Sequence, residues 1–221
     1  MRTFRILSAL LCYPEQALRD ALAEFGPVLD AEATLPRDAR ADLGHFIAEL
    51  GEGELLDAQE RYVALFDRNR SLSLHLYEHV HGESRDRGQA MVRLNTLYQL
   101  HGLDATTREL PDYLPLYLEF LSIVPEKAAR SLLAEAVHVV GALRRKLEKR
   151  DSPYAAVLRA VEGLAARPAA AAAIAQAMRT LECDADLPTA LDAEWEEEAV
   201  RFTANPATPA MGAHAAPRCG S

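Results

Sequence analysis

From residue 3 onward the apolar positions recur at intervals of three and four, first as Phe4, Leu7, Leu10 and Leu11, then as Leu18, Leu22 and Phe25. That period is helical and not extended. Pro14 and Pro36 stand where a first helical turn tolerates a missing N–H, and Gly26 and Gly51 can take the left-handed conformation that closes a helix. The spacing therefore predicts a second helix ending at Gly26, a third carrying Leu43, Phe46, Ile47 and Leu50, and a fourth carrying Leu55, Leu56, Gln59, Tyr62, Val63 and Phe66.

Residues 68–83 break the pattern. Asn69, Ser71 and Ser73 favour local capping of the backbone, and Gly82 interrupts any helix begun at Leu74, so an irregular or partly helical connector is expected. Ser84 reads as the N-cap of a helix through Met91, Leu94 and Tyr98 to Gly102, with Asp86 in its first turn. Residues 111–124 predict a helix that is apolar nearly all round, which marks a central core element, a helix with one face in a binding groove, or both. Leu132, Leu133, Ala136, Val137, Val140, Leu143 and Leu147 give another amphipathic helix, ending in the cationic cluster Arg144, Arg145, Lys146, Lys149 and Arg150. Segments 154–164 and 169–178 complete the set.

Beyond Leu181 the character changes. Glu182, Asp184, Asp186, Asp192, Glu194, Glu196, Glu197 and Glu198 follow with no basic residue among them, and after Phe202 there are too few large apolar groups to offset ordering entropy. A disordered acidic tail over residues 181–221 is expected, after an all-α domain over residues 1–180. Strand-like alternation of useful length and internal repeats are both missing.

The formal net charge of -9 removes the attraction that drives phosphate-backbone binding, so nucleic acid is not the expected partner. The opening MRTFRILSALLCYPEQ has a basic start and a short apolar run, but Tyr13, Pro14 and Glu15 follow with no small-residue cleavage site. It reads as a first amphipathic helix. With no other segment approaching a membrane-spanning length, a cytoplasmic chain without direct membrane insertion is expected. Cys12, Cys183 and Cys219 are scattered and suit a reducing compartment.

Side chains that could carry chemistry concentrate between residues 65 and 91. His75-x-x-Glu78-His79 matches an inverted zincin pattern, with His81 nearby; a zinc-dependent hydrolase would need a helix through the motif and a third ligand. The alternative is a hydrogen-bonded structural cluster. Glu83, Arg85, Asp86 and Arg87 could clamp a phosphate or carboxylate, or could neutralise one another in an ion-pair network. The latter is favoured, giving a structural polar network of His75, Glu78, His79, His81, Glu83, Arg85, Asp86 and Arg87.

The run FDRNRSLSLHLYEHVHGESRDRGQAM, the segment ELPDYLPLYLEFLS from Glu109 to Ser122, the opening LSALLCYP and the late WEEEAVRF together resemble the delta-subunit, or NarJ-type, assembly chaperones of respiratory nitrate reductase, within the wider family of molybdoenzyme chaperones. A short hinge motif of that wider family, Glu-Pro-x-Asp-His, corresponds to Glu109-Leu110-Pro111-Asp112-Tyr113, with the proline displaced and tyrosine in place of histidine. The resemblance implies a helical bundle that is not an enzyme and has no cofactor of its own. It would bind the N-terminal segment of the catalytic (alpha) subunit of nitrate reductase until that client receives molybdenum cofactor, and delay its docking at the membrane. An apolar groove edged by carboxylates suits such a segment. The expected lining is Tyr62, Phe66, Met91, Tyr98, Tyr113, Leu114, Tyr117 and Phe120, with Glu109, Asp112 and Glu119 as counter-charges. A helical adaptor for an unrelated partner is a third reading.

Overall fold

The structure is a computed structural model that describes residues 1–81, 85–103 and 109–185, without the side chains of His81 and of residues 180–185. Gly82, Glu83, the cap expected at Ser84, the side chain of Cys183, Cys219, the 195–202 segment and nearly all of the acidic tail lie outside the described residues.

The described chain is helical, and its one piece of extended pairing is an isolated antiparallel bridge between His75 and Tyr113. Helix α1 (Arg2–Leu10) buries Phe4, Leu7 and Leu10, with Leu11 just beyond, so the N-terminal apolar run is core and is spent inside the fold. It packs chiefly on α7 (Leu114–Ile123), a ten-residue helix that buries six of its side chains. Helix α8 (Glu126–Glu148) covers α7 from another side and pairs with α9 (Ala155–Leu164), which in turn meets α1 and α3 (Arg37–Glu52). The last described helix, α10 (Ala171–Ala185), lies on α8 and runs past residue 180. None of the described helices is long and apolar enough to cross a membrane.

Boundaries of two kinds differ from expectation for physical reasons. Helix α2 (Gln16–Glu32) does not close at Gly26 but runs through Gly26 and Pro27, ending at Ala33 in the left-handed conformation with φ 47°. The apolar period continues through Val28 and the buried Leu29, so burial offsets the helix-breaking pair, and Arg40 donates to the Gly26 carbonyl at 3.2 Å. Likewise α3 continues through Gly51 to Glu52. The second difference is that α7 starts at Leu114 and not at residue 111, because the backbone of 112–114 is already committed elsewhere. Leu76 N–H donates to the Asp112 carbonyl at 3.0 Å and Leu114 N–H to the Leu74 carbonyl at 2.8 Å. Pro115 then sits in the first turn, where its missing N–H costs nothing.

Helix α4 (Leu55–Tyr62) continues into a wider π turn, Val63–Asp67, in which Arg68 N–H reaches the Val63 carbonyl at 3.0 Å. A 3₁₀ turn, Arg70–Leu72, follows, capped by the Asn69 side chain accepting from Ser71 N–H. The four-residue helix α5 (Glu78–His81) and the longer α6 (Arg85–Leu100) lead to Gly102, whose φ of +76° is the left-handed turn that ends α6.

Candidate functional site

The π turn, the connector through residue 77 and the segment 109–113 converge on the end of α1. What joins them is the short bridge at His75 and Tyr113, a clasp between parts of the chain far apart in sequence.

The centre of the clasp is Asp112, fully buried. Its Oδ1 lies 3.2 Å from His75 Nδ1, its Oδ2 accepts from Tyr77 N–H at 3.0 Å, and the Arg87 guanidinium stands 3.6 Å away. Burial alone would raise the carboxyl pKa, but the His75 bond and charge, the Tyr77 N–H and Arg87 outweigh it and hold Asp112 below the usual carboxylate range. A second cluster adjoins it. Ser73 Oγ donates to Glu78 at 2.8 Å, Arg70 Nε donates to the other Glu78 oxygen at 2.9 Å, and the buried His79 donates from Nε2 to the Ser73 carbonyl at 2.6 Å.

These contacts correct one expectation and bear on one alternative. Asp112 is no rim carboxylate: it is enclosed, and its lone pairs are used to hold the connector in place. The zinc alternative finds no support here, since His75 lies at the bridge outside α5 and bonds Asp112 while His79 turns to the Ser73 carbonyl. Among the described residues no group of three or more His, Cys, Asp or Glu is placed to hold a metal. Of the expected polar network, His75, Glu78, His79 and Arg87 enter these contacts, whereas Arg85 and Asp86 are exposed at the start of α6. The side chains of His81 and Glu83 are outside the described residues.

Beside the clasp opens a cleft of about 280 Å³, among whose walls are Tyr13, Tyr62, Phe66, Asp67, Glu109 and Tyr113. The rings are mutually braced. Tyr13 meets Tyr62 edge-on at 5.7 Å, Tyr62 lies 5.0 Å from Phe66, and His75 lies against Tyr113 at 5.4 Å. The Tyr62 hydroxyl donates to the Leu11 carbonyl at 2.9 Å and sits 3.1 Å from the Tyr113 hydroxyl, which ties α1, α4 and the clasp together. A wider groove of about 470 Å³ continues past Tyr13 along α4, walled by Leu56, Gln59, Val63 and Arg68.

Carboxylates surround this region. Burial is the main reason the Cys12 thiol is pushed up to about 11, and Glu119, Glu109 and Glu15 push in the same direction. Burial likewise raises the Tyr113 phenol to about 12 against its bond to Tyr62, with Glu109 and Asp67 adding to the rise. Acidic side chains therefore gather about the end of α1 and the cleft, and Cys12 stays a neutral thiol at neutral pH.

The expected lining does not form one surface. Tyr62, Phe66 and Tyr113 wall the cleft, with Glu109 exposed at it. Tyr98, Leu114 and Phe120 are enclosed core side chains that no groove in this arrangement exposes. Tyr98 spends its hydroxyl on the Pro111 carbonyl at 2.7 Å and its ring on Phe120 at 4.8 Å. Tyr117, 6% exposed, edges a separate pocket of about 150 Å³ with Tyr77, Leu94 and His138. Met91 is half-buried on α6, and Glu119 is exposed on α7. Tyr13, Asp67 and Glu15 were not anticipated. Their only local signals are an aromatic directly after a helix end and acids beside apolar segments.

A family model described as nitrate reductase delta subunit matches residues 15–160. The nitrate reductase molybdenum cofactor assembly chaperone NarJ of Escherichia coli (strain K12) is 44% identical over 200 residues, 90% of this chain and 84% of the relative. The probable chaperone NarW of the same strain is 40% identical over 208 residues, 94% and 87% of the two chains. A probable NarJ of Bacillus subtilis (strain 168) is 35% identical over 156 residues, 71% and 84% of the two. With the match spanning the connector, the clasp and α7, the chain belongs to the nitrate reductase delta subunit family.

Proposed function

We propose that this protein is an assembly chaperone for respiratory nitrate reductase. It binds the N-terminal segment of the catalytic subunit and holds the client, before membrane docking, until molybdenum cofactor is inserted. It acts in the cytoplasm, by binding and not by catalysis, and without a cofactor of its own; residues 1–180 form the binding domain and the acidic remainder a tail. The observation that carries this reading is the aromatic cleft with its carboxylate surround, in a chain whose relatives bear the names of cofactor assembly chaperones. Aromatic walls edged by carboxylates suit a helical or extended segment that carries both apolar and basic side chains.

The test is calorimetric titration of the purified chain with a synthetic peptide of the first thirty or so residues of its host's catalytic subunit, at low and moderate salt. Saturable one-to-one binding that weakens with salt is the expected result. An absence of binding in both buffers would remove the client assignment.

A further inference from the structure

We infer that the cleft at Tyr13, Tyr62 and Tyr113 is a subsite for a single cationic group of the client, an ammonium or guanidinium, seated against the tyrosine rings with Asp67 and Glu109 as its counter-ions. The inference rests on the client reading above and adds what the client must present there.

Size is the first argument. At about 280 Å³ the cleft sits near the low end of small-molecule pockets, so it takes one long side chain or a chain terminus and little more. The lining is the second. Tyr13 is 43% exposed and Tyr113 half-buried, so both offer ring surface, while Asp67 and Glu109 stand exposed at the same opening. Ring faces attract cations through their quadrupole, and a partly dry site strengthens that attraction. Charge is the third argument. Glu15 and Glu119 add negative charge on the α1 side, close enough for both to act on Cys12. Among the described residues that wall the cleft the one potentially cationic side chain is His75, and its Nδ1 faces buried Asp112. Arg68 borders only the neighbouring groove, and Arg70 is paired with Glu78. An anionic group would meet repulsion here, and a purely apolar one would leave two carboxylates partly desolvated without a partner.

The phenols support a placing role. Tyr62 is pinned by its bond to the Leu11 carbonyl, and Tyr113 is held at both ends, by the backbone bridge and by Tyr62. The rings are thus set before the ligand arrives, which lowers the ordering cost of binding.

The experiment is a double-mutant cycle by calorimetry. The parent N-terminal peptide is compared with versions in which each Arg or Lys is replaced in turn by Met, and with one whose α-amino group is acetylated. Each is titrated into the full-length parent protein and into the double variant Asp67→Asn, Glu109→Gln. One peptide change is expected to weaken binding to the parent protein about tenfold and to cost little further in the double variant. Which change it is identifies the cation as side chain or terminus. Equal losses in both proteins for every peptide, or no loss for any, would overturn the subsite while leaving the client reading intact. Failure of the parent peptide itself to bind would remove both. Tyr113→Leu, which stays apolar but removes the ring and its hydroxyl, supplies the second handle: it should reduce discrimination between the parent and neutralised peptides without abolishing binding.

Discussion

Glu109 and Asp112 stand three positions apart on one short segment, both acidic, and they face opposite fates. Glu109 is exposed at the cleft, whereas Asp112 is fully buried, gripped by His75 and the Tyr77 N–H with Arg87 nearby. The aromatic residues divide the same way: Tyr13 and Tyr113 offer surface, while Tyr98 and Phe120 are sealed in the core. The difference teaches that the interior of the clasp exists to place its rim. Residues that hold and residues that bind are neighbours in sequence, and only the extended pairing of 74–76 with 112–114 sorts them.

The hardest test of that division is on its interior side. Asp112→Ala removes the acceptor of the Tyr77 N–H and leaves the Arg87 charge half-buried, and is expected to cost about 3–5 kcal/mol in urea unfolding. Phe120→Ala should cost about as much through the cavity it leaves. If either variant unfolded like the parent but lost peptide binding, the residue would belong to the binding surface after all. Acid sharpens the comparison next. Asp112 is held below its unfolded value, so its contribution is present above about pH 4 and is lost as pH falls through its lower folded value. Asp112→Asn should therefore be less stable than the parent at neutral pH, with the gap in melting temperature shrinking below about pH 4. A gap that persists unchanged there would mean that the carboxylate charge contributes nothing. The smallest effect belongs to the rim. Glu109→Gln should shift unfolding by no more than about 0.5 kcal/mol, and a larger shift would make Glu109 part of the clasp.

Helices were legible where apolar residues keep their period. Phe4, Leu7 and Leu10, or Val140, Leu143 and Leu147, bury as their spacing predicts, because a helix decides a side chain's direction from local geometry alone. The cleft was legible only in part. Tyr62 and Phe66 lie one helical turn apart and could be paired from sequence, but no period links Tyr13 or His75 to Tyr113. Assigning Asp112 to the rim and Tyr98, Leu114 and Phe120 to the groove shared one cause. Residue type reports that a side chain is acidic or aromatic, while its exposure depends on what covers it, the loop pairing at Asp112 and packing within the helical core at Tyr98, Leu114 and Phe120. The connector shows the converse: serines and a glycine around His75 and His79 predict an irregular or partly helical segment, and the structure builds it from a 3₁₀ turn, the bridge at His75 and the four-residue α5.

The clasp also closes a loop. His75 and Asp112 are 37 positions apart, and the whole of α6 lies between them, with two buried side chains, Leu94 and Tyr98, besides the partly buried Leu97 and the Arg87 contact to Asp112. Closing that loop is an entropic cost met once, at the bridge, and α6 adds little packing of its own to lock the segment down. In amide hydrogen exchange, α6 should open as a unit well below the global unfolding free energy, while Leu76 and Leu114 N–H exchange only with the core. The binding face would then keep its shape while a whole helix beside it breathes.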